Sequence, residues 1–430
     1  MRHSLKYGDQ VVTIDLGNDW ADRASVISKI SPRDASGEEQ EEVVRSALDH
    51  PVASARLQDL VQPGESVCVV TSDLTRPMPS DVVLPALLED LFAGGISPDD
   101  ITVVFATGIH RSQSRAEQVK LVGEDIAHQV RCVDSDPGDV VFVGRTEKGT
   151  PVQLTRVVAE SDRIICLGNV EFHYFAGYSG GVKAILPGVC NWETVASNHK
   201  MMMEPEARAG VIAGNPVRED IDSVLDLVHV DFILNVVLDD QKRIVKAYAG
   251  DPIVAHRRAA AYVDAGNRIS VRGPGHLVIA STGGYPKDLN LYQAQKALDH
   301  AQAFACPGAP IILVAQCSEG YGNRVFAEWL SEADSSQQVL SRLREDFELG
   351  GHKAAALART LRDNPVWLVS DMEPDLVRNA FMKPLELRAN RTLQIPEEAL
   401  HIAEDLSTET DTRVLILPEA ASVLPAPVTG

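Results

Sequence analysis

The stretch FHYFAGYSGGVKAILPG, residues 172–188, frames one lysine, Lys183, between Gly180-Gly181 and Pro187-Gly188, ten residues after His173. A lysine that only decorates a surface needs no such framing. An amine in a partly desolvated setting loses its proton more readily and can act as a nucleophile. Glycines on either side let a backbone come close to a flat or phosphorylated ligand. The segment is not a phosphate-cradling P-loop, because the G-K-[ST] order is missing, and it is not G-x-G-x-x-G either. Downstream, Asn191 is placed to cap a helix carrying His199 in NWETVASNHK. A neutral imidazole there suits nickel, copper or zinc. The plain alternative for His199 is a solvated residue at a helix end, and for Met201–Met203 core packing.

These residues need elements to position them. Continuous apolar runs at 66–73, 101–108, 163–169, 276–284, 310–316, 366–371 and 413–420 read as strands buried on both faces of parallel sheets. Helical patterns fall between them, at 82–93, 112–122, 191–203, 216–228, 252–265, 290–304, 324–332, 335–346 and 352–362. Pro216 after Asn215 and Pro252 after Asp251 read as first-turn prolines behind caps. Residues 231–251 read instead as two strands about a DDQK turn, an antiparallel hairpin beside the parallel strands.

The fold class expected is α/β: two domains of mainly parallel sheet flanked by helices, with the active site at their junction. The boundary is placed in GNRISVRGPGH, 266–276. The expected domains are residues 1–268, cofactor-binding and catalytic, and 269–414, a second α/β domain. The Pro-rich tail from about 415 to 430 is either disordered or packed back on the first domain. No internal repeat is found.

Ligands of an open parallel sheet bind beyond the carboxyl ends of its strands. Residues just after each apolar run therefore form one set. SDLTRP supplies Asp73 and Arg76, and GIHR supplies His110 and Arg111. NVEFHYF supplies Glu171 and His173. TGGYPKDLNLYQAQK supplies Tyr285, Lys287, Asp288, Tyr292, Gln293 and Lys296. Each has a bland alternative: Asp73 as a turn cap in SDLT, Arg76 as a solvated loop residue, the histidines as surface groups. Convergence of two histidines, an arginine and lysines at successive strand ends favours an active site.

Bulk properties narrow the classes. Across 430 residues the formal net charge is −21, which opposes nucleic-acid or anionic-membrane partners. The N-terminus lacks a signal-peptide apolar core, and no run approaches a membrane span. The six cysteines are scattered without a C-x-x-C pair, which fits reduced thiols in the cytoplasm.

The segments SDLTRP (72–77), ATGIHR (106–111), EFHYFAGYSGGVKAILPG (171–188), NHK (198–200) and GGYPKDLNLYQAQK (283–296), with LGGHKA (349–354), resemble the nickel-pincer-nucleotide lactate racemases and their 2-hydroxy-acid racemase and epimerase relatives. They occur in the family's order over more than half the chain. The resemblance implies a nicotinic-acid-derived mononucleotide cofactor holding nickel, with Lys183 matching its attachment residue and His199 the nickel ligand. Some relatives hold the cofactor without that bond, so Lys183 permits attachment without requiring it. His110 and His173 match the two acid/base histidines, and Arg76 and Lys296 match residues near the substrate carboxylate. Asp73, Tyr292 and Gln293 match cofactor or active-site contacts. The activity implied is racemisation of a small 2-hydroxy acid, lactate or a larger one such as malate, an aromatic hydroxy acid or a sugar acid, by hydride transfer through a 2-keto acid. Cofactor-maturation proteins are the implied partners. Imidazole suits proton exchange near neutrality, and two enantiomers that present their hydroxyls in opposite directions call for two bases. Two rivals are an NAD-dependent hydroxy-acid dehydrogenase, which wants a glycine fingerprint where SDLTRPMPS stands, and a non-catalytic small-acid binder, which gives two histidines beside a lysine no task. Side-chain specificity and oligomeric state are not legible.

Overall fold

The computed structural model describes residues 2–29, 39–108, 110–345, 347–348, 350–407 and 411–427. Ile109 of ATGIHR and Leu349 of LGGHKA lie outside the described residues, as do 428–430 of the tail. The chain divides into two compact units, one of residues 31–265 and one of 1–30 with 266–430.

In the unit of residues 31–265 a six-stranded sheet runs in the order Ile244–Gly250, Phe232–Leu238, Arg163–Asn169, Val67–Ser72, Ile101–Ala106, Arg131–Asp134. All neighbours are parallel except the first pair, an antiparallel hairpin with Ile233 opposite Gly250. This is the hairpin expected from residues 231–251. Its turn is held by Asp239, whose Oδ1 accepts from the amides of Gln241 at 2.8 Å and Arg243 at 2.9 Å. The core joins Val69, Val103, Phe105 and Ile165 of the sheet to Leu84, Leu87 and Leu91 of helix Ser80–Ala93. Each fully buried side chain of this size stabilises the unit by about 1.5–3 kcal/mol.

In the other unit a second six-stranded parallel sheet runs Lys383–Pro384, Val366–Val369, Ile311–Val314, Leu277–Ser281, Val414–Leu417, Ala24–Val26. A separate three-stranded sheet pairs Arg2–Tyr7 with Gln10–Asp15, and Gln10–Asp15 with Thr392–Gln394.

Two domain expectations need correction. The first thirty residues belong with the C-terminal unit, not with the N-terminal domain of 1–268. The tail also stays in its own unit. Val414–Leu417 lies between Leu277–Ser281 and Ala24–Val26, and Leu424–Pro425 pairs with Arg268–Ile269. The reason is strand pairing: the N-terminal segment supplies the edge that covers Val414–Leu417, a long-range partner with no local turn signal.

Candidate active site

Strands Arg163–Asn169, Val67–Ser72 and Ile101–Ala106 are consecutive parallel neighbours, so their carboxyl ends open side by side. The middle strand delivers Asp73, Thr75 and Arg76. The strand on one side leads to His110 and the strand on the other to His173. Two histidine-bearing loops thus flank a loop bearing a carboxylate and a guanidinium.

Asp73 is 2% exposed, and its two oxygens take different partners. Its Oδ1 accepts from the Thr75 hydroxyl at 2.7 Å and the Thr75 amide at 3.2 Å, which is the turn-capping role. Its Oδ2 lies 2.6 Å from Nδ1 of His110, an exposed side chain. Burial alone would raise the Asp73 pKa. The hydrogen bond and charge of His110, the Thr75 hydroxyl and the charge of Arg76 outweigh it and hold the carboxyl below its usual range. An ionised carboxylate can only accept, so Nδ1 carries a proton, and in the neutral imidazole the His110 lone pair is on Nε2. Gln113 braces this loop. Its Oε1 accepts from the Leu74 amide at 2.9 Å, while its Nε2 and main-chain N–H donate to Asp134 at 2.9 and 2.6 Å. The Gly108 amide donates to the Gly188 carbonyl at 2.9 Å, tying the His110 loop to the Pro-Gly stop after Lys183. Arg111 turns away to an exposed pair with Glu117.

His173 rests in the opposite tautomer. Its Nδ1 accepts from the Ala176 amide at 3.2 Å, so its proton is on Nε2. Its ring stacks on Tyr174 at 5.3 Å and meets the edge of Phe175 at 4.6 Å. Nitrogen NMR of the cofactor-free chain is expected to show a protonated Nδ1 at His110 and a protonated Nε2 at His173. The same tautomer at both would contradict these hydrogen bonds.

Phe175 also meets the His199 ring at 4.9 Å. Helix Trp192–Lys200 is capped by Asn191, which accepts from the Thr194 amide at 3.1 Å as expected. The orientation of His199 follows from a chain of partners. Asp220, fully buried, accepts from Thr146, from Thr150 at 2.9 Å and from Asn198 Nδ2 at 2.8 Å. With its Nδ2 committed, Asn198 presents Oδ1 to Nδ1 of His199 at 3.2 Å. Nδ1 must donate, which puts the His199 lone pair on Nε2. Asp220→Ala leaves three buried donors unmatched and is expected to cost about 3 kcal/mol or more of stability, read from denaturant unfolding. A loss below about 1 kcal/mol would show that water replaces the carboxylate.

Lys183 lies on the short 3-10 turn Gly181–Ala184. Burial, then the positive charges of Arg76 and Arg218, bring its amine down to about 7. The adjacent glycines serve protein packing, not an open cradle. A Cβ on Gly180 would lie 2.9 Å from Asn235 Oδ1, and one on Gly181 would lie 3.0 Å from the His256 ring. Both have positive φ, 75° and 62°. Nearby, Phe175 and Tyr178 are buried, while Trp192 is 42% exposed. Met202 is buried, as core packing requires.

The remaining predicted site residues belong to the unit containing 266–430. Asn290 caps helix Leu291–Phe304 by accepting from the Gln293 amide at 3.1 Å. That places Tyr292, Gln293 and Lys296 on its first turns. Asp288 is buried and accepts from the amides of Gly8 at 2.7 Å and Gln316 at 3.2 Å, a structural task. Tyr285 is 60% exposed, and Lys287 lies near Gly283. Lys353, of the GGHKA run but not singled out in it, is 8% exposed. Its ammonium sits 3.6 Å from the Tyr292 ring centroid and donates to the Tyr292 carbonyl at 3.2 Å. Among the described residues no group of three or more His, Cys, Asp or Glu side chains could hold a metal ion. No helix among them is long and apolar enough to cross a membrane.

This is a two-unit α/β protein with histidines at the ends of two strands that flank a third. Residues 7–210 match the lactate racemase N-terminal domain and residues 271–425 the lactate racemase C-terminal domain. The chain is 33% identical to the lactate racemase of Thermoanaerobacterium thermosaccharolyticum over 395 residues, 90% of each chain. It is 32% identical to that of Lactiplantibacillus plantarum over 396 residues, 90% of this chain and 91% of that one. The lactate racemase apoprotein structure from T. thermosaccharolyticum superposes with a TM-score of 0.86 at 30% identity, covering 99% of this chain and all of that one. A Thermotoga maritima protein at 18% identity shares the fold, with a TM-score of 0.62 over 88% of this chain and 96% of its own. The chain belongs to the lactate racemase family. It is accordingly an enzyme of the isomerase class.

Proposed function

We propose that the protein racemises lactate, with a nickel-pincer nucleotide as its resident cofactor. The observation that carries this reading is the lateral order of three adjacent strand ends, His173, then Asp73 with Arg76, then His110, in a chain of this family. The side chains present fit the cofactor. Lys183, brought down to about 7, offers a substantial fraction of neutral amine near pH 7, as acylation of a lysine requires. His199 offers a single imidazole oriented through Asn198. His199 would hold the nickel, Lys183 would attach the nucleotide, and Asp73, Tyr292 and Gln293 would contact it.

When bound, that cofactor supplies the acceptor and donor for the hydrogen on Cα. The chain's own residues do the rest. Arg76, with a planar fork matched to a carboxylate, and Lys296 hold the substrate's acid group. Nε2 of His110 takes the hydroxyl proton of one hand, and the carboxylate of Asp73 stabilises the imidazolium that results. His173 serves the other hand. Its Nδ1 already accepts from Ala176, so taking a proton there means giving up that bond. Loss of both hydrogens leaves a 2-keto acid, flat at Cα, which can be reduced on either face.

The small substrate and the maturation proteins that load the cofactor are the partners proposed. A reducing cytoplasm is the proposed location, in keeping with six free cysteines. The substrate is tested by giving the loaded protein single enantiomers of lactate, malate, mandelate and a sugar acid, with chiral chromatography as the readout. Lactate is expected to interconvert fastest. Preferential turnover of malate or mandelate would keep the reaction class and overturn the substrate.

A further inference from the structure

Behind the glycine-rich segment lies a buried polar network that none of the steps above uses. Arg218, on helix Pro216–Asp222, has no exposed surface. A buried guanidinium persists only where its donors are matched, so its partners are informative. Its Nε donates to the Ala176 carbonyl at 3.2 Å, one terminal nitrogen donates to the Tyr178 carbonyl, and the other faces Asp222 at 3.4 Å. His256, on helix Pro252–Asn267, is 1% exposed. Its Nε2 lies 2.9 Å from the Ser179 carbonyl. A carbonyl only accepts, so Nε2 carries the proton and Nδ1 accepts from the Arg257 guanidinium at 2.6 Å. Arg257 closes the circuit on Asp222. Asn215, the cap of the Arg218 helix, adds a donor to the Phe175 carbonyl at 2.9 Å.

The carbonyls of Phe175, Ala176, Tyr178 and Ser179 are therefore each held by a buried side chain from outside the loop. These bonds grip main chain, so they fix the path of the backbone between His173 and Lys183 whatever the side chains do. The His256 ring is also the wedge beside Gly181, two residues before Lys183. Burial, then the charges of Arg218 and Arg257, push the His256 imidazole far below its usual range, so it stays neutral and its tautomer does not switch. The two guanidiniums face Asp222, and a second carboxylate, Asp264, accepts from the Tyr178 hydroxyl at 2.6 Å. Arg76 is the other cation acting on Lys183.

We propose that Arg218 and His256 are positioning residues that hold the glycine-rich loop by its carbonyls and so set the place and surroundings of the Lys183 amine. The functional meaning of this rests on Lys183 as the attachment residue, but the test does not. The full-length chain without cofactor is treated with limiting acetic anhydride over a range of pH, and peptide mass spectrometry follows acetylation at Lys183. The parent's midpoint is expected near neutrality. Arg218→Met removes the clamp and a nearby cation, and should raise that midpoint by about one pH unit or more. His256→Leu removes the donor and the wedge and should shift it the same way. His256→Gln keeps an N–H for Ser179 and should keep the parental midpoint. If Arg218→Met and His256→Leu lower thermal stability but leave the Lys183 midpoint unmoved, the network is scaffold only and the proposal is overturned. Should Arg218→Met fail to fold, the two His256 variants decide alone. No substrate or cofactor enters the assay, so the racemase reading can fail while this result stands, and the reverse.

Discussion

Replacing His110 by alanine is expected to slow lactate racemisation by the loaded protein about 100- to 10,000-fold while leaving its nickel content near the parental level. The selectivity follows from where the side chain sits. Its Nδ1 is bound to Asp73 and its Nε2 carries the lone pair, so it is placed to move a proton, whereas His199 is oriented through Asn198 in a different segment. His110→Ala also strands a buried carboxylate, which costs stability. His110→Gln separates the two effects, because its amide can still donate to Asp73 although it cannot act as a base. Equal loss of turnover in both variants, with Gln the more stable, is the expected pattern. His173→Ala should cost turnover on the same scale, since one imidazole serves one hand. A double variant that racemises at the parental rate would show that neither imidazole carries the proton. His199→Ala should do the reverse and lose nickel first.

Lys183→Ala is expected to abolish the mass increment gained on maturation and, with it, most turnover. Burial, then Arg76 and Arg218, bring the amine down to about 7, so a substantial fraction is unprotonated at physiological pH. A surface lysine, at its ordinary value, would be almost wholly protonated there and a poor nucleophile. Intact-mass measurement of chains co-produced with the maturation proteins should show a cofactor-sized increment in the parent alone. An unchanged mass in the matured parent would remove the covalent bond from the account but not the racemisation, because the cofactor can also be held without it.

Much of this site was legible because the signals are local. The runs at 67–72, 101–106 and 163–169 announce themselves by continuous apolarity, and side-by-side parallel strands put their carboxyl ends on one edge. The caps at Asn191, Asn215 and Asp251 and the Asp73 turn follow from side chains bonding amides two or three residues on. What escaped depends on partners distant in sequence. Arg218 stands in PVREDID, a charged run that reads as a solvated helix face, yet its partners at Ala176 and Tyr178 lie some forty residues away. Asp220 is in the same run and equally buried. Lys353 beneath Tyr292 carries no local mark, and the pairing of Gln10–Asp15 with Thr392–Gln394 spans nearly the whole chain. Periodicity tells which residues can face a core. It does not tell which charges will find carbonyls there.

Of the measurements available, the fate of a single enantiomer bears most directly on the paired imidazoles at the strand ends flanking Asp73 and Arg76. Pure L-lactate and pure D-lactate are each incubated with the cofactor-loaded chain and resolved by chiral chromatography over time. Both are expected to drift to the same equal mixture. If either enantiomer stays pure with a chain shown to hold nickel, the two-handed site proposed for His110 and His173 does not exist.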